Sequence, residues 1–129
     1  MTKIIIIEDN PINMKLATFL LHSAGHEVLQ ATNAEYGLAL IRTELPALVL
    51  LDIQLPGMDG IKAMRLLKAD SALSHITVIA LTANAMKDDK ETLLKSGFDG
   101  YLPKPFHHQE FLGMVKGMLE KSYTLSAIT

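Results

Sequence analysis

Five residues able to handle charge stand directly after short apolar runs. Glu8 and Asp9 follow Ile4 to Ile7, Asp52 follows Val49 to Leu51, Thr82 follows Val78 to Leu81, and Lys104 follows "GYLP". Carboxylates sharing one site repel: two unit charges about 5 Å apart cost roughly 3 kcal/mol at an effective dielectric near 20. Such a cluster either raises a carboxyl pKa strongly or holds a cation. Its donors are all hard oxygens, and no histidine or cysteine stands nearby in sequence. That favours Mg²⁺, with Mn²⁺ as a substitute, because Mg²⁺ keeps several waters and leaves room for a phosphoryl group. Lys104 and Thr82 are then anion partners: the ammonium neutralises phosphoryl charge and the hydroxyl donates to a phosphoryl oxygen. Asp52, alone at the end of its run, is the natural nucleophile for an aspartyl-phosphate.

For these residues to meet, the runs before them must be neighbouring strands. Ile4 to Ile7, Val49 to Leu51 and Val78 to Leu81 are short, apolar and β-branched, as strands buried on both faces are. Val28 and Leu29 suggest a weaker strand and Gly100 to Pro103 a last one. Helical patterns lie between them. Pro11 suits a first helical position, Ile12, Leu16, Phe19 and Leu20 follow at helical spacing as the expected apolar face, and Gly25 is a stop. A second helix is expected from about Asn33 to before Pro46. A third follows Asp59, with Ile61, Met64 and Leu67 inward and Lys68 reaching solvent. A fourth is expected over about Met86 to Ser96, sparse in apolar residues and therefore loosely held. The fifth carries the stripe Phe111, Met114, Val115, Met118 and Leu119. Strands alternating with helices argue for a doubly wound α/β fold, a five-stranded parallel sheet with helices on both faces. In such sheets ligands bind outside the carboxyl ends of the strands.

The 129 residues fit one domain, read as 1–121, followed by a flexible tail over 122–129. A net charge of −2 with mixed signs gives no reason to expect nucleic acid or a membrane surface as a partner. The absence of cysteine excludes disulfides, thiolate metal sites and thiol nucleophiles. No run has the length of a bilayer span or a signal-peptide core, so a cytoplasmic location is expected. The five histidines, His22, His26, His75, His107 and His108, are read as surface or capping residues.

The stretches "IIIIEDN", "LVLLDIQLPGMDG", "VIALTA" and "GYLPKPF" resemble the signature set of response-regulator receiver domains, in order and over nearly the whole chain. The similarity is strongest to single-domain cell-cycle receivers and to receivers of hybrid kinases. It implies a sheet order of 2-1-3-4-5. Glu8 and Asp9 become the acid pair for Mg²⁺, Asp52 the phosphoacceptor and a further ligand, and the backbone carbonyl of Gln54 the last protein ligand. Thr82 and Lys104 become the phosphoryl-binding pair, and Tyr101 the aromatic switch that follows Thr82. The Lys104-Pro105 bond is expected to be cis, and Ala83 to leave the site open. Pro103 departs from the small or hydroxylated residue common before the lysine and removes a backbone donor, which an edge strand tolerates.

The implied function is a phosphorelay switch. A histidine kinase or histidine phosphotransfer protein phosphorylates Asp52, and the face made by helix 4, strand 5 and helix 5 signals to a downstream protein. On this reading the chain is no enzyme, although it assists its own phosphorylation and dephosphorylation. Met1 and the patternless end lean toward a stand-alone protein, the alternative being a receiver cut from a larger hybrid kinase. A flavodoxin-like carrier would need a hydroxyl-rich loop after the first strand, where "EDNPINM" stands. An aspartate-nucleophile phosphatase would place two aspartates, one residue apart, after the first strand.

Overall fold

The computed structural model describes residues 2–83 and 90–128, with residues 90 and 121–128 by backbone alone. The elements alternate: β1 (Lys3–Ile7), α1 (Pro11–Ser23), β2 (Glu27–Ala31), α2 (Ala34–Glu44), β3 (Leu48–Asp52), α3 (Gly60–Ala69), β4 (Thr77–Thr82), α4 (Lys90–Lys95), β5 (Gly100–Pro103) and α5 (His108–Ile128). The five strands form one parallel sheet in the order β2-β1-β3-β4-β5. This is the doubly wound receiver architecture expected from the sequence.

Alternate residues of each central strand feed opposite layers, because side chains alternate across a sheet. Ile5, Ile7, Val49, Leu51, Val78 and Ala80 pack with residues of α2, α3 and α4. Ile4, Ile6, Leu48, Leu50, Ile79 and Leu81 pack with residues of α1 and α5. Burial on both faces explains why these strands are apolar throughout rather than alternating.

The helix starts are set by side-chain caps. Asn10 Oδ1 accepts from the N–H groups of Ile12 and Asn13, Asn33 Oδ1 from that of Tyr36, and Asp59 Oδ1 from that of Lys62.

Two expectations are corrected. The face of α1 against the sheet is Met14, Ala17, Leu20 and Leu21, while Ile12, Leu16 and Phe19 are exposed. Helix α1 is apolar on two sides, and spacing alone cannot say which side meets the sheet. At the other end, α5 runs on to Ile128 where a patternless tail is expected. No glycine or proline follows Lys121 to stop the helix. Of the expected fourth helix, Met86 and most of the charge run Lys87 to Glu91 lie outside the described residues. In its described part Leu93 is buried and Leu94 exposed. Lys68 does reach solvent. Among the described residues no helix is long and apolar enough to cross a membrane.

Candidate functional site

Strands β1 and β3 pair with Ile7 opposite Leu51. One step further along each come Glu8 and Asp52, so the register sets these two carboxylates side by side at the rim. Both are 1% exposed, whereas Asp9 faces solvent. Glu8, Asp9 and Asp52 each offer an oxygen within 4.8 Å of the others.

Lys104 arrives from the end of β5 and closes the group. Its Nζ donates to Glu8 Oε1 at 2.9 Å and to Asp52 Oδ2 at 3.0 Å. Its backbone N–H donates to the Thr82 carbonyl at 2.8 Å, so the β4–β5 ladder continues past Pro103 despite the missing donor there. The Lys104-Pro105 bond is cis. Thr82 is wholly buried at the end of β4.

The remaining oxygens are also held. Glu8 Oε2 accepts from the Asn10 N–H at 3.1 Å, and Asp52 Oδ1 from the Gln54 N–H at 2.9 Å. Sequence reading missed Asn10 as a member of the site, although an asparagine before a helix-opening proline is a recognisable cap signature. It also missed Gly60. A Cβ there would lie 2.5 Å from the Asp52 carbonyl oxygen, so only glycine lets the start of α3 approach the acid-bearing strand so closely.

Burial above all, and the neighbouring Asp52, push the Glu8 carboxyl up to about 7, against the opposing pull of Lys104 and the Asn10 N–H. Burial also opposes the Lys104 charge. Its hydrogen bonds to Glu8 and Asp52 outweigh that cost and raise its pKa above the ordinary lysine value. One ammonium against three carboxylates leaves room for a divalent cation. The donor set, all carboxylate oxygen, suits a hard one.

Tyr101 lies half-buried on β5 opposite Ala80 and packs against the layer formed with α2, α3 and α4. Thr82, two residues beyond Ala80, points to the same face of the sheet. The two are thus diagonal neighbours on adjacent strands.

The sequence profile of the response regulator receiver domain matches residues 4–116. The chain belongs to this family. It is 40% identical over 116 residues to the polar-differentiation response regulator DivK of Brucella anthropi, covering 90% of this chain and 94% of that protein. It is 41% identical over 120 residues to the DivK of Brucella ovis, covering 92% and 98%. Among solved structures, it resembles the receiver domain of a sensor histidine kinase from Pseudomonas aeruginosa PAO1, with a TM-score of 0.85, 30% identity and coverage of 92% and 98%. That structure has a magnesium ion coordinated in its active-site cleft. A CheY-like receiver domain protein from Methanospirillum hungatei JF-1 superposes with a TM-score of 0.86, 29% identity and coverage of 96% and 98%. Receiver domains are the phosphoacceptor switches of two-component signalling, and this chain is one of them.

Proposed function

We propose that Asp52 is the phosphoacceptor of this receiver domain, and that it takes its phosphoryl group from the phosphohistidine of a kinase or phosphotransfer protein in the cytoplasm. The observation that carries this reading is the joint hold of Lys104 on Glu8 and Asp52 beside the exposed Asp9. An Asp52 carboxylate oxygen attacks phosphorus. The new P–O bond forms as the P–N bond to the donor imidazole breaks, and the imidazole nitrogen keeps the electron pair. Lys104 would follow the charge onto the phosphoryl oxygens, and the Thr82 hydroxyl would donate to one of them. Glu8, Asp9, Asp52 and the Gln54 carbonyl would hold Mg²⁺, which supplies charge neutralisation at those oxygens when bound.

The donor has a surface ready beside the site. Helix α1 begins two residues after Asp9, and its outer face carries Ile12 and Phe19, 76% and 65% exposed. A groove of about 540 Å³ runs from Glu8 and Asp9 past Phe19 to His22. An apolar stripe on a helix fits a helical partner. The signal leaves by the opposite route. Inward movement of Thr82 gives Tyr101 space on the shared sheet face and alters the surface of α4, β5 and α5.

Intact mass after incubation with acetyl phosphate and Mg²⁺ tests the assignment. One added phosphoryl group is expected on the native chain, and none on Asp52→Asn or when EDTA replaces Mg²⁺. An adduct that persists in Asp52→Asn would place the acceptor elsewhere.

A further inference from the structure

Helices α3 and α4 follow the strands that end in Asp52 and Thr82. Between them lies a groove of about 600 Å³, lined by Arg65 and Lys68 of α3 and by Lys95 at the end of α4. The chain as a whole carries a net charge of −2, so this concentration of cations runs against its background.

Lys68 and Lys95 each stand in the last turn of their helices, where the helix dipole favours a cation. That account does not reach Arg65, which sits in mid-helix and has no ion-pair partner among the described residues. It lies one turn from Lys68 on the same face.

Lys68 is also seated rather than free to swing. Its Nζ donates to the Ser74 carbonyl at 3.1 Å, and its methylenes cover Gly97, where a Cβ would come within 2.9 Å of them. Gly97 has a φ of +109°, a conformation suited to glycine. The ammonium keeps further donor hydrogens beyond the Ser74 bond. Lys95 pairs with Glu91 at 3.1 Å, but both side chains are more than 70% exposed at 75% and 78%. Water screens such a pair, and a competing anion displaces it at small cost.

We propose that this groove binds a compact polyanion carrying phosphate groups, held by Arg65, Lys68 and Lys95. The guanidinium fork matches phosphate oxygens two at a time, and the ammonium groups add charge from either side. The three residues line one concave groove from two helices, which favours a small polyanion over an extended acidic peptide. A ligand here bridges the two helices that lead away from Asp52 and Thr82. Its affinity and the phosphorylation state of the rim are therefore thermodynamically linked if those helices shift.

The test is a titration of the isotope-labelled full chain with inorganic triphosphate, near physiological salt and with EDTA present so that no metal–phosphate complex enters the acid rim. Saturable binding is expected, with the largest amide shifts at Lys68, Lys95 and Gly97. Arg65→Ala and Lys95→Ala should each weaken it by roughly tenfold. Glu91→Gln, which frees Lys95, should tighten it by about threefold, a gain that misfolding cannot produce. Shifts that grow without saturation over all surface lysines would show an adventitious ion only and overturn the proposal. Saturable binding that ignores Arg65→Ala and Lys95→Ala would overturn it too. Capture of a polyglutamate peptide but not triphosphate would assign the groove to an acidic protein segment instead.

Discussion

Lys104 does two jobs with one ammonium. It touches both buried carboxylates, and its hydrogen bond pulls the Glu8 carboxyl down against burial. Even so, burial lifts Glu8 from its usual 4.5 to about 7. Between those values the folded chain keeps a proton that the unfolded chain has released. Without metal, stability should therefore fall as pH rises from about 4.5 to about 7 and level off above that. The full shift corresponds to roughly 3 kcal/mol as an upper figure. Urea unfolding in EDTA at a series of pH values reads it directly, and Glu8→Gln should flatten the slope. A native chain with flat stability over that range would mean that Lys104 keeps Glu8 ionised throughout. The residues of this cluster were legible in the sequence because each follows a strand-like run. Their pairing was not, since contact between Lys104 and Glu8 spans most of the chain.

Helices α1 and α3 show what spacing can and cannot reveal. Ile12, Leu16 and Phe19 make a regular stripe, yet the sheet takes the side with Met14, Ala17 and Leu21. Ala17 is small enough to bring the helix close, a tertiary reason that periodicity does not carry. The outer stripe is then free for a partner. Ile12→Ser with Phe19→Ser should leave stability within about 0.5 kcal/mol. The pair should slow phosphotransfer from a protein donor by roughly tenfold or more while leaving the acetyl phosphate reaction unchanged. Equal loss with both donors would move the defect from docking to the site. Gly60 is the complementary case, a glycine whose importance lies in what approaches it. Gly60→Ala would drive a methyl against the Asp52 carbonyl and the Ile53 Cα, backbone atoms that yield only with strain. A loss of about 1–3 kcal/mol is expected in denaturant titration. Slower phosphorylation should accompany it, because the strand bearing Asp52 must shift.

At the scale of the molecule, the sheet order β2-β1-β3-β4-β5 is what turns separate strand ends into one site. It puts β1 beside β3 and β4 beside β5, so acids and lysine meet although their sequence positions are far apart. The doubly wound class was legible because fully apolar strands alternate with helical patterns, whereas the strand order came from the resemblance to receiver domains. The end of α5 was not, because its last residues lack a stripe and nothing local stops the helix. The same arrangement predicts how cation binding couples to the whole fold. A cation that binds the folded rim and not the unfolded chain stabilises by the mass-action term, about 1.4 kcal/mol at ten times its dissociation constant. For a chain of 129 residues that is an upward Tm shift of roughly 5 °C. Glu8 must lose its proton to serve as a ligand, so proton and cation compete. The Mg²⁺-induced shift should thus be larger at pH 8 than at pH 6, and Asp9→Asn should shrink it at both. Calorimetric melts with Mg²⁺ or EDTA at the two pH values measure the difference. A shift of equal size at both would show that the cation does not engage Glu8 and rests on Asp9 and Asp52.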